Sequence, residues 1–204
     1  MDKLDKLVKT SKIIYSRLKK LKMPTPAKSA KILVDFFELT LISAGVFMLV
    51  YIFIAQLLKV NGDSMFPTFK DGEQLISEKL SIRIKPIVRG DIVVFKHPQN
   101  SERFLIKRVV GMPNDVFTVS NGLVFVNGAT IKEPYVMQGI KTMQGAIIKE
   151  GIDYQIPKDE YILLGDNRDQ SSDSRDFGAV SAKNIIGRVL LVYYPVTHFR
   201  IIWY

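Results

Sequence analysis

The chain has 204 residues, 47% hydrophobic and 24% charged, with no Cys, two His and a formal net charge of +9, a length suited to one domain plus appendages. The missing Cys excludes a disulfide framework, a thiol nucleophile, an Fe–S cluster and a Cys-type zinc site, and two isolated His do not make a His-rich metal site. Charge is uneven: residues 1–32 hold ten Lys/Arg against two Asp, whereas residues 60–204 hold 18 against 16, so no uniform nucleic-acid-binding face is indicated.

In residues 1–34, Leu4, Leu7, Val8, Ile14, Leu18 and Leu21 recur at helical spacing among Lys6, Lys9, Lys12, Lys19 and Lys20. This pattern predicts either a basic amphipathic helix lying on anionic lipid or a positive flank that only sets topology. Met23-Pro24-Thr25-Pro26 ends any such helix. Residues 35–59 read as a transmembrane helix. Their core, Leu39 to Leu58, is 20 residues without a charge, about 30 Å as a helix and the thickness of a bilayer core. A buried core helix and a cleavable signal sequence are the alternatives. Signal h-regions are shorter, and no small-x-small site follows at Gln56 to Val60. The preceding Lys/Arg residues place the N-terminus in the cytoplasm, which puts residues 60–204 outside.

Beyond Lys59 the pattern alternates. Strands are predicted at Asp91–Phe95, Arg103–Val110, Asp115–Val119, Leu123–Val126, Tyr161–Leu164 and Gly187–Tyr194. Asn121-Gly122 and Asn127-Gly128 flank the fourth run and match the chemistry of tight hairpins. The fold class is therefore mainly β: one N-terminal transmembrane helix followed by an extracytoplasmic all-β domain.

Without Cys, a covalent hydrolase here needs Ser, Thr or a carboxylate, and a hydroxyl needs a base. His97 and His198 are candidate bases, but nothing local completes a triad around either. The other base is a Lys whose pKa is lowered by burial, a change that Arg cannot make. In FLIKRVV, Lys107 shares a strand face with Leu105 and Val109; it is either solvent-facing or that base. Ser64, in VNGDSMFPTF, is either a linker residue or a nucleophile presented by the Gly62-Asp63 turn and Pro67.

Ser64-Met65 with Pro67-Thr68 just behind a span, RGDIVVF at Arg89–Phe95, KRVVGMPND at Lys107–Asp115 and GDNRDQSSDSRDFG at Gly165–Gly178 together resemble the bacterial type I signal peptidases. The four boxes stand in the family's order over most of residues 60–178. The resemblance implies a membrane-anchored serine endopeptidase that removes signal peptides from exported preproteins by a Ser/Lys dyad and an acyl-enzyme, with no cofactor. Ser64 matches the nucleophile and Lys107 the general base. Ser171 matches a hydroxyl that orients the Lys amine, and Asp173 and Arg175 match a supporting ion pair. Ser171 and Ser172 are adjacent, so the assignment is open to a shift of one. Gly62 stands where some members carry a Ser or Thr that assists the oxyanion hole. That Gly, together with a single span, looks like the Gram-positive branch.

Implied partners are preproteins with A-x-A-like cleavage sites, the phospholipid membrane and, as a candidate, the secretion machinery. Such substrates demand shallow apolar pockets and an exposed strand edge; the pocket residues do not emerge from patterning. Phe66, Phe69, Tyr193, Tyr194, Phe199, Trp203 and Tyr204 are expected either as interfacial anchors or as ordinary core residues. Two other readings stand beside this one. A repressor-type Ser/Lys autoprotease would carry a DNA-binding domain in place of the span, and an anchored binding module would leave Ser64 as a linker.

Overall fold

A computed structural model describes Thr10, Lys12, residues 15–17, Pro26–Phe53 and residues 55–202. Most of the predicted basic helix, and Trp203 and Tyr204, lie outside the described residues. The chain divides into two units, Met1–Met48 and Leu49–Tyr204.

Helix α1 spans Pro26–Phe53. Pro26 opens it, where a missing N–H costs nothing, and no Pro follows before Phe53. Its stretch Lys28–Val50, 23 residues, is long and apolar enough to cross a membrane, and none of that window's length is buried. A core helix of a soluble protein would be covered, so exposure of Phe36, Leu39, Ile42 and Phe47 speaks against that alternative. Thr40 donates its hydroxyl to the Phe36 carbonyl at 2.8 Å, which satisfies that hydroxyl within the helix. The apolar run Leu39–Leu58, read as one helix, is in fact shared between two elements. The helix ends at Phe53, and Ala55–Lys59 is strand β1. Strand pairing with Gln74–Glu78 offers these residues ladder hydrogen bonds that hydropathy alone does not reveal.

The second unit is built on antiparallel strands. The larger sheet runs β1–β2–β11–β3–β4–β9–β10, with β12 on β11, and the smaller runs β7–β6–β5–β8. In the larger sheet β1 is Ala55–Lys59, β2 Gln74–Glu78, β3 Ile92–His97, β4 Asn100–Gly111, β9 Glu160–Leu164, β10 Val180–Ser181, β11 Ile185–Tyr194 and β12 Arg200–Ile201. The smaller sheet holds β5 Val116–Ser120, β6 Leu123–Val126, β7 Ala129–Thr130 and β8 Tyr154–Gln155. The six predicted runs coincide with β3, β4, β5, β6, β9 and β11 within a few residues. Both Asn-Gly pairs turn as expected: Asn121 and Gly122 have φ 52° and 77°, as do Asn127 and Gly128, the two positive angles that a type I′ hairpin requires. Helices in this unit are short, with α2 at Ser81–Ile84 and α3 at Ser174–Phe177.

Three apolar clusters fill the unit. One of them, with Val60, Met65, Phe69, Leu75, Ile92, Val94, Val189 and Val192, underlies the loop between β1 and β2. Phe69 is fully buried there, so it is a core residue and no interfacial anchor.

Candidate active site

The loop 60–73 joins two paired strands and is closed on itself. Lys59 pairs with Gln74, Val60 N donates to the Glu73 carbonyl at 2.8 Å, and Gly72 N donates to the Val60 carbonyl at 3.0 Å. Gly62, at φ +86°, takes a backbone conformation that strains any residue with a Cβ. Its N–H donates to Asp71 Oδ1 at 2.6 Å. Met65 and Phe69, at 2% and 0% exposure, sink into the core on either side of the turn. Ser64, just before Met65, stays half-buried, and its backbone N–H meets no acceptor among the described residues.

Strand β4 brings Lys107 to that hydroxyl: Lys107 Nζ and Ser64 Oγ are 2.6 Å apart. Lys107 is 2% exposed because its register partner is Val93 and its face also carries Leu105 and Val109, all in one apolar cluster. Burial pushes the amine down to about 8, while Asp173 and Asp166 pull upward and Arg103 and Arg175 reinforce the depression. About a tenth of the amine is therefore uncharged at pH 7, against well under a thousandth for an ordinary Lys.

Arg108, one residue on, points to the other face. Its Nε meets Asp166 Oδ1 at 2.8 Å and its Nη2 meets Asp166 Oδ2 at 2.6 Å, and its guanidinium lies 4.0 Å over the Tyr135 ring. Thr68 Oγ1 donates to the same carboxylate at 2.5 Å. Asn167 completes the clamp: its backbone N donates to the Ser64 carbonyl at 3.1 Å, and its side-chain amide donates to the Asp63 carbonyl, also at 3.1 Å. Asp166 and Asn167 therefore tie the Ser64 loop to β4. Gly165 is required by close approach, since a Cβ there would lie 2.2 Å from Ser171 Oγ and 2.5 Å from the Ser64 carbonyl oxygen.

Asp173 organises the last box. It caps α3 by accepting from Arg175 N, pairs with Arg175 Nε at 2.8 Å and accepts from Gly165 N at 3.1 Å. Ser171 Oγ donates to Asp173 Oδ2 at 2.7 Å, and the structure gives it no hydrogen bond to Lys107; Ser172 is exposed. Neither His touches Ser64. The His97 ring packs on Phe177 at 4.9 Å, and His198 Nδ1 contacts Glu73 Oε1 at 2.9 Å.

A cavity of about 80 Å³ opens between Val60, Ser64 and Met65 on one wall and Phe104, Ile106 and Lys107 on the other. Beside it β4 pairs with β9 only from Arg108 onward, which leaves the backbone edge of Phe104–Lys107 without a strand on that side among the described residues. Ser64, Lys107, Ser171, Asp173, Arg175 and Gly62 thus fall in one neighbourhood. Sequence reasoning missed Thr68, Arg108, Gly165, Asp166 and Asn167 as individual residues, although the boxes contained all five. Gly165, Asp166 and Asn167 stand in a run of charged and small residues after β9, which periodicity cannot parse, whereas Thr68 is in the Ser64 loop and Arg108 is inside β4.

Comparison with known proteins follows the same lines. The profile of the family described as "Signal peptidase, peptidase S26" matches residues 33–194. Signal peptidase IB of Staphylococcus aureus (strain N315) is 32% identical over 180 residues, covering 81% of this chain and 93% of the relative. Signal peptidase I of Leptolyngbya laminosa is 36% identical over 152 residues, 71% of each chain. The crystal structure of a signal peptidase I from Enterococcus faecalis aligns at a TM-score of 0.42 and 27% identity, covering 51% of this chain and 97% of that one.

Proposed function

The chain belongs to the signal peptidase family, peptidase S26, and from that premise we propose that Ser64 and Lys107 are its catalytic dyad. The family makes it a peptidase that removes signal peptides from exported preproteins, with an apolar N-terminal helix suited to membrane anchoring. The observation that carries the dyad is the 2.6 Å contact between a buried amine and the hydroxyl beside a free backbone N–H.

Neutral Lys107 accepts the Ser64 proton as Oγ attacks the scissile carbonyl, and the Ser64 N–H stabilises the oxyanion. The ammonium then protonates the leaving amine. Lys107, neutral again, deprotonates the water that hydrolyses the acyl-enzyme. Once Lys107 is charged, Ser171, which donates to Asp173 and makes no bond to the amine in the structure, is its proposed acceptor, and the Asp173–Arg175 pair holds that hydroxyl in place. Gly62 supplies no hydroxyl, so the second oxyanion donor is backbone or water.

The 80 Å³ cavity beside Ser64 suits the small side chain of an A-x-A-like site, and the open edge of Phe104–Lys107 suits main-chain pairing with an extended substrate. With α1 as a single span and residues 1–34 in the cytoplasm, the catalytic unit stands outside the membrane, where the substrate's own apolar segment ends. The anchor makes the encounter effectively intramolecular.

The test is processing of one purified preprotein in lipid by the full chain, read by mass spectrometry across pH. Cleavage after an A-x-A site is expected, with kcat/KM rising through pH 8 as the Lys107 amine loses its proton. A folded, active Lys107→Arg variant, or a folded but inactive His97→Ala or His198→Ala variant, overturns the dyad.

A further inference from the structure

After β11 the chain doubles back across the Ser64 loop. Val196–His198 forms a tight turn, and β12 pairs with β11 with Arg200 opposite Val192. Ile202 N donates to the Leu190 carbonyl at 2.9 Å, and its side chain packs on the cluster that holds Met65 and Phe69. This strap lies beyond residue 194, where the family match ends. An open cavity of about 330 Å³ separates Pro67 and Lys70 on the loop from Thr197 and Phe199 on the strap, so apolar packing does not brace the loop there. A guanidinium joins the two instead. Arg200 grips Glu73, the last residue of the loop, with a two-point fork: Nη1 donates to Oε1 at 3.0 Å and Nη2 to Oε2 at 2.7 Å. Nη2 also donates to the Thr68 carbonyl at 2.5 Å, and Nη1 to the strap's own His198 carbonyl at 3.0 Å.

Glu73 is a carboxylate at 2% exposure. Burial by itself would raise its pKa, but Arg200, the Lys70 N–H and His198 hold it below the usual carboxylate range, so the fork is an ion pair. Thr68 is held from two directions, its carbonyl by Arg200 and its hydroxyl by Asp166. Two backbone bonds carry that hold back to Ser64: Phe69 N donates to the Met65 carbonyl at 2.9 Å and Phe66 N to the Asp63 carbonyl at 3.0 Å, which makes residues 63–69 one turn. We propose that Arg200 is a positioning residue for the peptidase reaction, bracing that turn so that Ser64 Oγ stays 2.6 Å from Lys107 Nζ. The inference rests on the reading of Ser64 and Lys107 as the dyad. Arg200 makes no hydrogen bond to either of them and acts only through Thr68 and Glu73. It does not line the cavity beside Ser64. Its loss therefore misaims the hydroxyl, which lowers rate and leaves affinity alone.

The full chain in lipid vesicles, processing one purified preprotein, gives kcat and KM across pH. Arg200→Gln, with folding checked by circular dichroism, is expected to lower kcat about 5–20-fold and leave KM within about twofold. It should also move the acid limb of kcat/KM to higher pH, because a looser loop lets water reach Lys107 and its amine regains part of the ordinary Lys pKa. Arg200→Lys keeps a cation with donors for Glu73 and Thr68 and should recover most of the lost kcat. The double variant Glu73→Gln with Arg200→Gln leaves no buried carboxylate unpaired and carries the same expectations where the single variant does not fold. A folded variant with kcat within twofold of the parent overturns the positioning role. So does a loss confined to KM, or a kcat loss with an unshifted acid limb or without recovery by Lys. Ser64→Ala and Lys107→Arg are read in the same assay. If both are inactive, the dyad stands and those outcomes count against Arg200 alone, whereas processing by either one overturns the dyad and this inference with it.

Discussion

Around Ser64 the interior is charged: Glu73, Lys107, Asp166, Arg168, Asp173 and Arg175 are all buried, each held by specific partners. The small sheet β7–β6–β5–β8 instead closes over Phe117, Val119, Val124, Val126, Ile148 and Ile156, a cluster without a charged member. An apolar cluster keeps most of its shape when one side chain is trimmed, because its attraction has no direction. A buried ionic network does not, since removing one partner strands another in low dielectric. The active-site half of the molecule therefore gains fixed geometry at the expense of tolerance, and the other half supplies robust support.

The comparison is sharpest at the proposed dyad. Ser64→Ala and Lys107→Arg should each lower kcat/KM by ~10³-fold or more, the loss of a nucleophile or of a base that can release its proton. Circular dichroism and melting temperature should stay close to those of the parent for Ser64→Ala, since only a half-buried hydroxyl is lost. Retained processing by either variant, purified away from host peptidase, would refute the assignment.

One step down, Asp166→Asn and Phe117→Ala set the two regions against each other. Asp166→Asn breaks the two-point contact with Arg108 and weakens the hold on Thr68. It should cost about 3 kcal/mol of stability and also lower kcat ~10-fold or more, because a loop displaced by a fraction of an ångström misaims Ser64. Phe117→Ala should cost about 3–5 kcal/mol and leave kcat per folded molecule within about twofold. Denaturant melts combined with single-turnover rates decide this; equal kcat losses in the two variants would erase the distinction.

The same contrast explains what the sequence made legible. Alternation found β5, β6, β9 and β11 because one face of each is apolar, and the two Asn-Gly turns carry their own backbone requirement. It missed β1, whose residues Leu57 and Leu58 continue the hydropathy of α1. The helix stops where pairing with β2 becomes available, which is a long-range fact. At the site, Ser64 and Lys107 emerged through the order of the boxes, and not through spacing, since 43 residues separate them. The clamp of Asp166, Arg108 and Thr68 was not legible, because it depends on which way β4 turns its faces. Alternation places Lys107 and Arg108 on opposite faces but does not say what each face meets.

Lys107 itself should behave as a functional residue held at a cost to stability. Its folded-state pKa, about 8 against 10.5, means that the folded protein binds fewer protons than the unfolded chain between those two values. Stability should therefore rise with pH across that window, with the full cost of about 3 kcal/mol present at pH 7 and below. Lys107→Met should be inactive yet more stable at pH 7, by roughly 2 kcal/mol once the lost Ser64 contact is counted, and the advantage should fade toward pH 10.5. Denaturant midpoints of both proteins at pH 7 and pH 10 test this; an advantage that does not shrink with pH would mean that the amine is not the source.

The smallest effect is expected at Ser171. Its hydroxyl donates to Asp173 and touches no reacting atom in the proposed chemistry, so Ser171→Ala removes an acceptor for the Lys107 ammonium without removing the base. Losing that acceptor destabilises the charged amine more than the neutral one, which lowers the apparent pKa of kcat/KM while kcat falls only ~3–10-fold. KM should change little, because Ser171 does not line the 80 Å³ cavity beside Ser64. Ser172→Ala, on an exposed side chain, should match the parent in both rate and pH profile. The pair separates a positioning hydroxyl from a bystander. A silent Ser171→Ala beside a damaged Ser172→Ala would mean that the box is read one residue out of register, and a rate loss with an unshifted pH profile would mean that Ser171 supports Asp173 and not the amine.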